Sequence, residues 1–390
     1  MKILIYCTIL LSVVCLVAIN ANLPAYADLN GISSETTGWI VSMNPLMCLI
    51  FTFPFAYLSD RYNRFVVIFA GLFFYFFAAL VLVFFNSLTG LFIVKILEGL
   101  AVAAFLPSAT AFITDLSKKG NLSQDLGSFT SVFNLGFLIA PASSAFLGNF
   151  FGLQAIFIFV LVCSVINLII CIPIYILFKQ SSISKSLESE VVEFKKSDLK
   201  SFKWPVIISV GLFSVIFGYS LGLYDSIWAY YIFDLGGDIF ILNLTYFCYA
   251  LPVVLLSRFM GKLADKYENL HLPIILGSLM ISFSILSYGF IPVPLIIAFV
   301  CSIEGVGNAA VFPCMNAAML KSVDKYFKGR VLGIFNIART GGNFIGAIVC
   351  GYLFTLTKIL PFIVNFSLIL ITAIIATVTL FLYKEDLKDT

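Results

Sequence analysis

The sequence predicts an all-α membrane protein, with twelve transmembrane helices in two six-helix bundles related by a pseudo-two-fold axis along the membrane normal. Three observations carry that expectation. Of 390 residues, 61% are hydrophobic and 11% charged, whereas soluble chains run at about 45–50% and about 25%. Apolar runs of about 20 residues, long enough to cross a hydrocarbon core about 30 Å thick, recur twelve times. The second half of the chain also repeats the first at a shift of about 206 residues.

Mean hydropathy is +1.07, and so small a charged fraction cannot cover a water-facing surface. That excludes a cytosolic enzyme, a secreted domain and a nucleic-acid binder. The net charge of +3 is too small and too dispersed to form a phosphate-binding face. Nine cysteines all fall inside apolar runs without a C-x-x-C pair, so they read as small packing residues. No disulfide, metal site or cofactor is expected.

Taken in order, the spans are expected near 4–24, 37–57, 65–86, 91–114, 127–149, 153–178, 205–233, 239–260, 272–291, 294–318, 330–353 and 359–383. They define an N-terminal bundle over 1–178 and a C-terminal bundle over 205–390. Between them the polar stretch 179–204, with Ser181, Ser182, Lys185, Glu188, Lys195 and Lys196, reads as a cytosolic linker. Lys2, an apolar run and Ala25-Tyr26-Ala27 are similar to a cleavable leader. The repeat reaches back into this segment, which argues against cleavage.

Basic residues set the orientation. Of the 23 lysines and arginines, Lys95 and Arg339 lie inside spans and Lys358 in the last outer loop. The remaining 20 fall on one side of the membrane. Both termini are therefore expected in the cytosol, with the chain in the cell membrane as a monomer.

The repeat is specific. Glu98-Gly99, Ala103-Ala104 and Pro107 recur as Glu304-Gly305, Ala309-Ala310 and Pro313. Gly127, Phe129 and Gly136 recur as Gly333, Phe335 and Gly342, and Asp28-Leu29 as Asp234-Leu235. Leu58-Ser59-Asp60-Arg61-Tyr62 recurs, shifted by one residue less, as Leu263-Ala264-Asp265-Lys266-Tyr267. Parallel repeats of this kind build transporters whose site lies near the midplane between the halves.

Over essentially its whole length the chain resembles the major facilitator superfamily. Ala56-Tyr-Leu-Ser-Asp60-Arg61-Tyr-Asn-Arg64-Phe65 is similar to the family's loop signature G-x-L-A-D-R-x-G-R-R, with Ala56 and Asn63 in place of glycines. Asn63 tolerates a left-handed turn conformation there. Lys95-x-x-x-Gly99-x-Ala101 is similar to R-x-x-x-G-x-G. In the fifth span, Gly127, Gly136, Ala140-Pro141 and Ser144-Ala145 are similar to G-x8-G-x3-G-P-x2-G-G, a helix-packing motif of proton-driven exporters in the family. Small residues replace three of its glycines, so close helix approach is preserved.

Charges buried in a bilayer are costly, by at least about 2.5–3.5 kcal/mol on insertion scales, so each needs a reason. The candidates for proton coupling are Glu98, Lys95, Asp225, Glu304 and Arg339. Lys95 and Glu98, three apart, can share a helix face, and Glu304 could pair with Arg339. Such pairs could simply hold helices in register. Alternatively, a carboxylate among them exchanges protons, since the sole histidine, His271, belongs at the edge of a span. Asn20, Tyr224, Trp228 and Asn308 are candidate substrate contacts. The resemblance implies that the first, fourth, seventh and tenth helices line a cavity. It also implies that Asp60, Arg61 and Arg64, with Asp265 and Lys266 in the repeat, latch a cytosolic gate. There a carboxylate can bond to the free N–H groups of a neighbouring helix start.

The reading that follows is a secondary transporter of a small organic solute, coupled to protons, with the fifth-span resemblance implying export; a symporter or facilitator for uptake of a polar metabolite is the alternative. A phosphate loop, a metal cluster and a nucleophile with its base are all missing from the sequence, so an enzyme is not expected. A transport-fold receptor is the remaining reading outside transport.

Overall fold

The computed structural model describes residues 2–61, 63–85, 87–117, 122–179, 203–266, 271–320, 322–323 and 328–383. For 122–124, 126, 178–179, 258, 261–266, 320, 328–330 and 332 it describes the backbone alone. The described residues form twelve helices and no strand. These are α1 (Lys2–Leu29), α2 (Ser34–Arg61), α3 (Arg64–Phe84), α4 (Leu88–Leu116), α5 (Leu122–Phe151) and α6 (Leu153–Lys179) in the first half. In the second they are α7 (Trp204–Asp234), α8 (Ile239–Lys266), α9 (His271–Tyr288), α10 (Pro294–Leu320), α11 (Lys328–Leu356) and α12 (Leu360–Leu382). All twelve are long and apolar enough to cross a membrane. In lipid a helix satisfies its own backbone, which is why an apolar run of this length takes that form.

Most helices outrun the spans expected from hydropathy. Helix α2, for instance, begins at Ser34 and continues through Asp60 and Arg61. Polar residues at the ends of a helix keep their backbone bonds while their side chains reach water, so hydropathy marks the buried part and not the helix. The signature Ala56–Phe65 is therefore largely helical. Asn63 departs from the left-handed conformation expected of it. Its φ is −167°, and its side chain accepts from Phe65 N as the N-cap of α3, the role in which Asn is among the strongest residues. Ser87 caps α4 likewise, accepting from Gly90 N. The left-handed turns fall to glycines instead, at Gly31, Gly152 and Gly236.

The chain forms two compact units, Met1–Glu190 and Val191–Thr390. The expected linker, 179–204, lies outside the described residues apart from its ends, where Lys179 closes α6 and Trp204 opens α7. Within each unit the same helix crossings recur. A Cβ on Gly99 of α4 would stand 2.5 Å from the Asn44 carbonyl of α2, and one on Gly305 of α10 would stand 2.3 Å from the Tyr249 carbonyl of α8. Gly136 of α5 presses on Val13 of α1, and Gly342 of α11 on the Val215 carbonyl of α7, the latter at 1.9 Å from a built Cβ. Only glycine allows backbones to approach so closely, and lipid-embedded helices gain their packing from such contacts. Gly127, in contrast, has open space around it, and Pro141 sits within α5.

In the second unit the crossing is a seam. Gly218 and Gly222 of α7 face Gly342 and Gly346 of α11, and each would drive a Cβ into the opposing backbone. The large exposed residues, Phe53, Phe69, Phe73, Ile169 and Phe299 among them, are those a lipid-embedded surface offers. All nine cysteines are free thiols.

One junction joins three helices of the first unit. Lys2 of α1 ion-pairs with Asp125 at the start of α5, and the Ser117 hydroxyl at the end of α4 donates to the same carboxylate at 2.6 Å. Direct bonds from Lys2 and then Ser117 hold Asp125 below the usual carboxylate range.

Candidate functional site

In the first unit the polar interior centres on α4. Lys95 and Glu98 are 1% and 0% exposed, and they pair at 2.8 Å one turn apart. The Lys95 ammonium also donates to Asn20 Oδ1 of α1. Two of the expected residues, from different roles, thus share one cation. Glu98 Oε1 is buried and accepts no bond from any described residue. Beside it, Cys48 of α2 donates to the Gly99 carbonyl at 3.4 Å.

In the second unit the equivalent carboxylate is held differently. Glu304 is 2% exposed, and its Oε2 accepts from Tyr224 of α7 and Tyr288 of α9, both at 2.7 Å. Among the described residues none donates to Oε1. The expected pairing with Arg339 does not occur. The Arg339 guanidinium lies instead over the rings of Phe312 and Phe217, at 5.6 and 6.0 Å from their centroids. Aromatic faces stabilise a desolvated guanidinium by about 2 kcal/mol, so Arg339 is accommodated without a carboxylate. Hydroxyl donors do the same for Glu304, because bonds to a charged acceptor are worth about 1.5–3 kcal/mol each.

The remaining predicted residues surround this pair. Asp225 accepts from Asn343 of α11 at 3.0 Å. Asn308, one turn beyond Glu304 on α10, sends its Nδ2 to the Glu304 carbonyl at 3.4 Å and leaves Oδ1 buried, with no partner among the described residues. Trp228 departs from the expected role of substrate contact. It is 1% exposed, its Nε1 donates to Thr245, and Tyr224, Tyr288 and Phe362 pack around it edge-on. With its faces covered and its donor used, it props the two tyrosines that hold Glu304. Tyr288 was not a candidate from sequence. Neither was Cys301, whose sulfur lies 3.4 Å from the Tyr288 hydroxyl.

A separate charged cluster joins the ends of α2, α3 and α4. Arg64 pairs with Asp60 at 3.1 Å and with Asp115. Arg61 donates to Tyr57. The Asp60 carboxylate is thus engaged by Arg64, while the N-terminus of α3 is capped by Asn63 and not by Asp60. Asp115 was missed from sequence, since a lone aspartate at the end of a span carries no signal by itself. The side chains of Asp265 and Lys266, their counterparts in the repeat, lie outside the described residues.

Twelve membrane-length helices with a few charges kept inside each six-helix unit define a multi-pass membrane protein of the transporter type. The family model for the Major Facilitator Superfamily matches residues 5–347 and again 208–389, and the chain belongs to that superfamily. It is 28% identical to an uncharacterized MFS-type transporter of Methanocaldococcus jannaschii, over 84% of each chain. It is 24% identical to Multidrug resistance protein 2 of Bacillus subtilis, over 87% of this chain and 85% of that one. Among solved structures, a peptide transporter POT superposes with a TM-score of 0.80 at 13% identity, covering 99% of this chain and 95% of that one. The nucleoside transporter NupG gives 0.71 at 15% identity, covering 99% of both. These structures share the fold. The chain is accordingly a transporter of the major facilitator type.

Proposed function

We propose that this transporter exports a small organic solute by alternating access, driven by protons, from a cell membrane in which both termini face the cytosol. The observation that carries the reading is the Lys95–Glu98–Asn20 cluster, an ion pair sealed inside the first unit with one carboxylate oxygen unpartnered among the described residues. Removing one member of a buried pair leaves an uncompensated charge, at about 3–5 kcal/mol. Lys95 can leave Glu98 cheaply only if a proton takes its place. Asn20 offers the ammonium a second acceptor, so movement of Lys95 between the two would couple proton uptake to the positions of α1 and α4.

Glu98 is the first choice for the coupling residue, Lys95 its modulator and Asp225 the second choice. The fifth-span resemblance and the multidrug relatives support export. The Asp60–Arg64–Asp115 cluster would serve as the latch of the cytosolic gate. Uptake by symport stays as the second reading, because Ala140, Ser144 and Ala145 replace glycines of the exporter motif.

Glu98→Gln protein in proteoliposomes should bind substrate yet lose proton-driven flux. Undiminished flux would overturn the assignment. In energised vesicles, proton movement opposite to the solute supports export, and movement with it supports the second reading.

A further inference from the structure

Among the described residues, Glu304 is a carboxylate without a cationic partner. The Arg339 guanidinium of α11 lies over two aromatic faces and makes no ion pair with it. Both tyrosine hydroxyls bond to Oε2, which leaves Oε1 open to a donor. One helical turn away, on the same face of α10, Asn308 Oδ1 is a second acceptor, fully buried and unpartnered among the described residues. A buried acceptor left without a donor costs about 1–3 kcal/mol, a penalty that a bound donor would remove. Asp225 adds a further carboxylate from α7, within reach of Asn343.

We infer that Glu304 and Asn308 form the recognition site for a protonated primary or secondary amine on the transported solute. The ammonium N–H groups bond to Glu304 Oε1 and Asn308 Oδ1, while Tyr224 and Tyr288 hold the carboxylate in place. The chemistry selects among cations. A quaternary ammonium has the charge but no N–H for Asn308. A bare metal ion takes six or more oxygen ligands where it binds as calcium does, more than these two acceptors supply. The solute class follows: an amine carried on an apolar or aromatic body, beside the Tyr224 ring whose hydroxyl bonds to Glu304. This rests on the reading of the chain as a solute transporter. It also divides the labour, assigning the proton to Glu98 and the solute's charge to Glu304.

The test is binding to the purified full chain in lipid nanodiscs, by calorimetry, with three probes: phenethylamine, its N,N,N-trimethyl analogue and phenethyl alcohol. The amine should bind about tenfold or more tightly than either of the others. Glu304→Gln should lose about tenfold in amine affinity. Asn308→Leu should lose severalfold with no fall in melting temperature, since it removes an unsatisfied acceptor. The inference is overturned if the quaternary analogue binds as well as the amine, if amine binding is not detected, or if Glu304→Gln binds undiminished. The probe comparison on the unaltered protein decides the matter even where a variant does not fold. Amine binding without flux in liposomes would refute the transport reading and leave this site standing. Flux of another solute without amine preference would refute the site alone.

Discussion

Glu98 and Glu304 are the same position of the repeat, each followed by a glycine that lets its helix cross a neighbour backbone to backbone. Their surroundings nevertheless differ in kind. Lys95, three residues before Glu98, becomes Cys301 before Glu304, and Asn44, at the crossing of α2, becomes Tyr249 at the crossing of α8. One carboxylate is therefore neutralised by a cation on its own helix, and the other is held by hydroxyls from α7 and α9. A shared scaffold fixes where a charge sits. The residue one turn away decides whether that charge is already matched or awaits a partner.

This contrast can be broken most decisively by stability measurements on Glu98→Gln and Glu304→Gln. The first strands a buried ammonium and should cost about 3–5 kcal/mol in chemical unfolding. The second keeps an oxygen for the tyrosine hydroxyls and strands nothing, so about 1 kcal/mol or less is expected. Equal losses would mean that the two sites are electrostatically alike. A smaller effect sharpens the account of the second site. Tyr288→Phe removes one of two hydroxyl donors to Glu304, and about 1.5–3 kcal/mol of unfolding free energy should go with it.

The smallest effect concerns Asp125, which combines both kinds of partner, a cation and a hydroxyl, at the edge of the first unit. Its carboxyl is held below the ordinary range, so the junction contributes fully above the unfolded value and is lost as pH falls through the folded one. Melting temperature should drop on acidification less steeply in Asp125→Asn than in the unaltered chain. Identical acid profiles would show that the junction contributes nothing.

Hydropathy made all twelve helices legible in the sequence, because a bilayer demands about 20 apolar residues of any helix that crosses it. Helix ends were less legible, since the last turns of α2 are polar yet helical. Within the site, the spacing of Lys95 and Glu98 announced a shared face. The Glu304–Arg339 pair was expected from charge alone, but aromatic rings and hydroxyls are also adequate partners for buried charges, and sequence gives no distances between helices. One signal was available and unread: Cys301 in the place of Lys95 already meant that Glu304 lacks a cation on its own helix. The spacing Gly218-x3-Gly222, matched by Gly342-x3-Gly346, likewise marked two helices able to meet closely.

The glycine seam between α7 and α11 also has a consequence for how the protein is made. The helices it joins stand about 120 residues apart in the chain, and ribosomes add about 5–20 residues per second. For roughly 6–25 s after α7 emerges, its notched face has no permanent neighbour. During that interval α7 must be shielded by lipid or by the insertion machinery. A substitution along Gly218 or Gly222 would thus first be felt at the membrane-bound ribosome, as a second bundle that never closes.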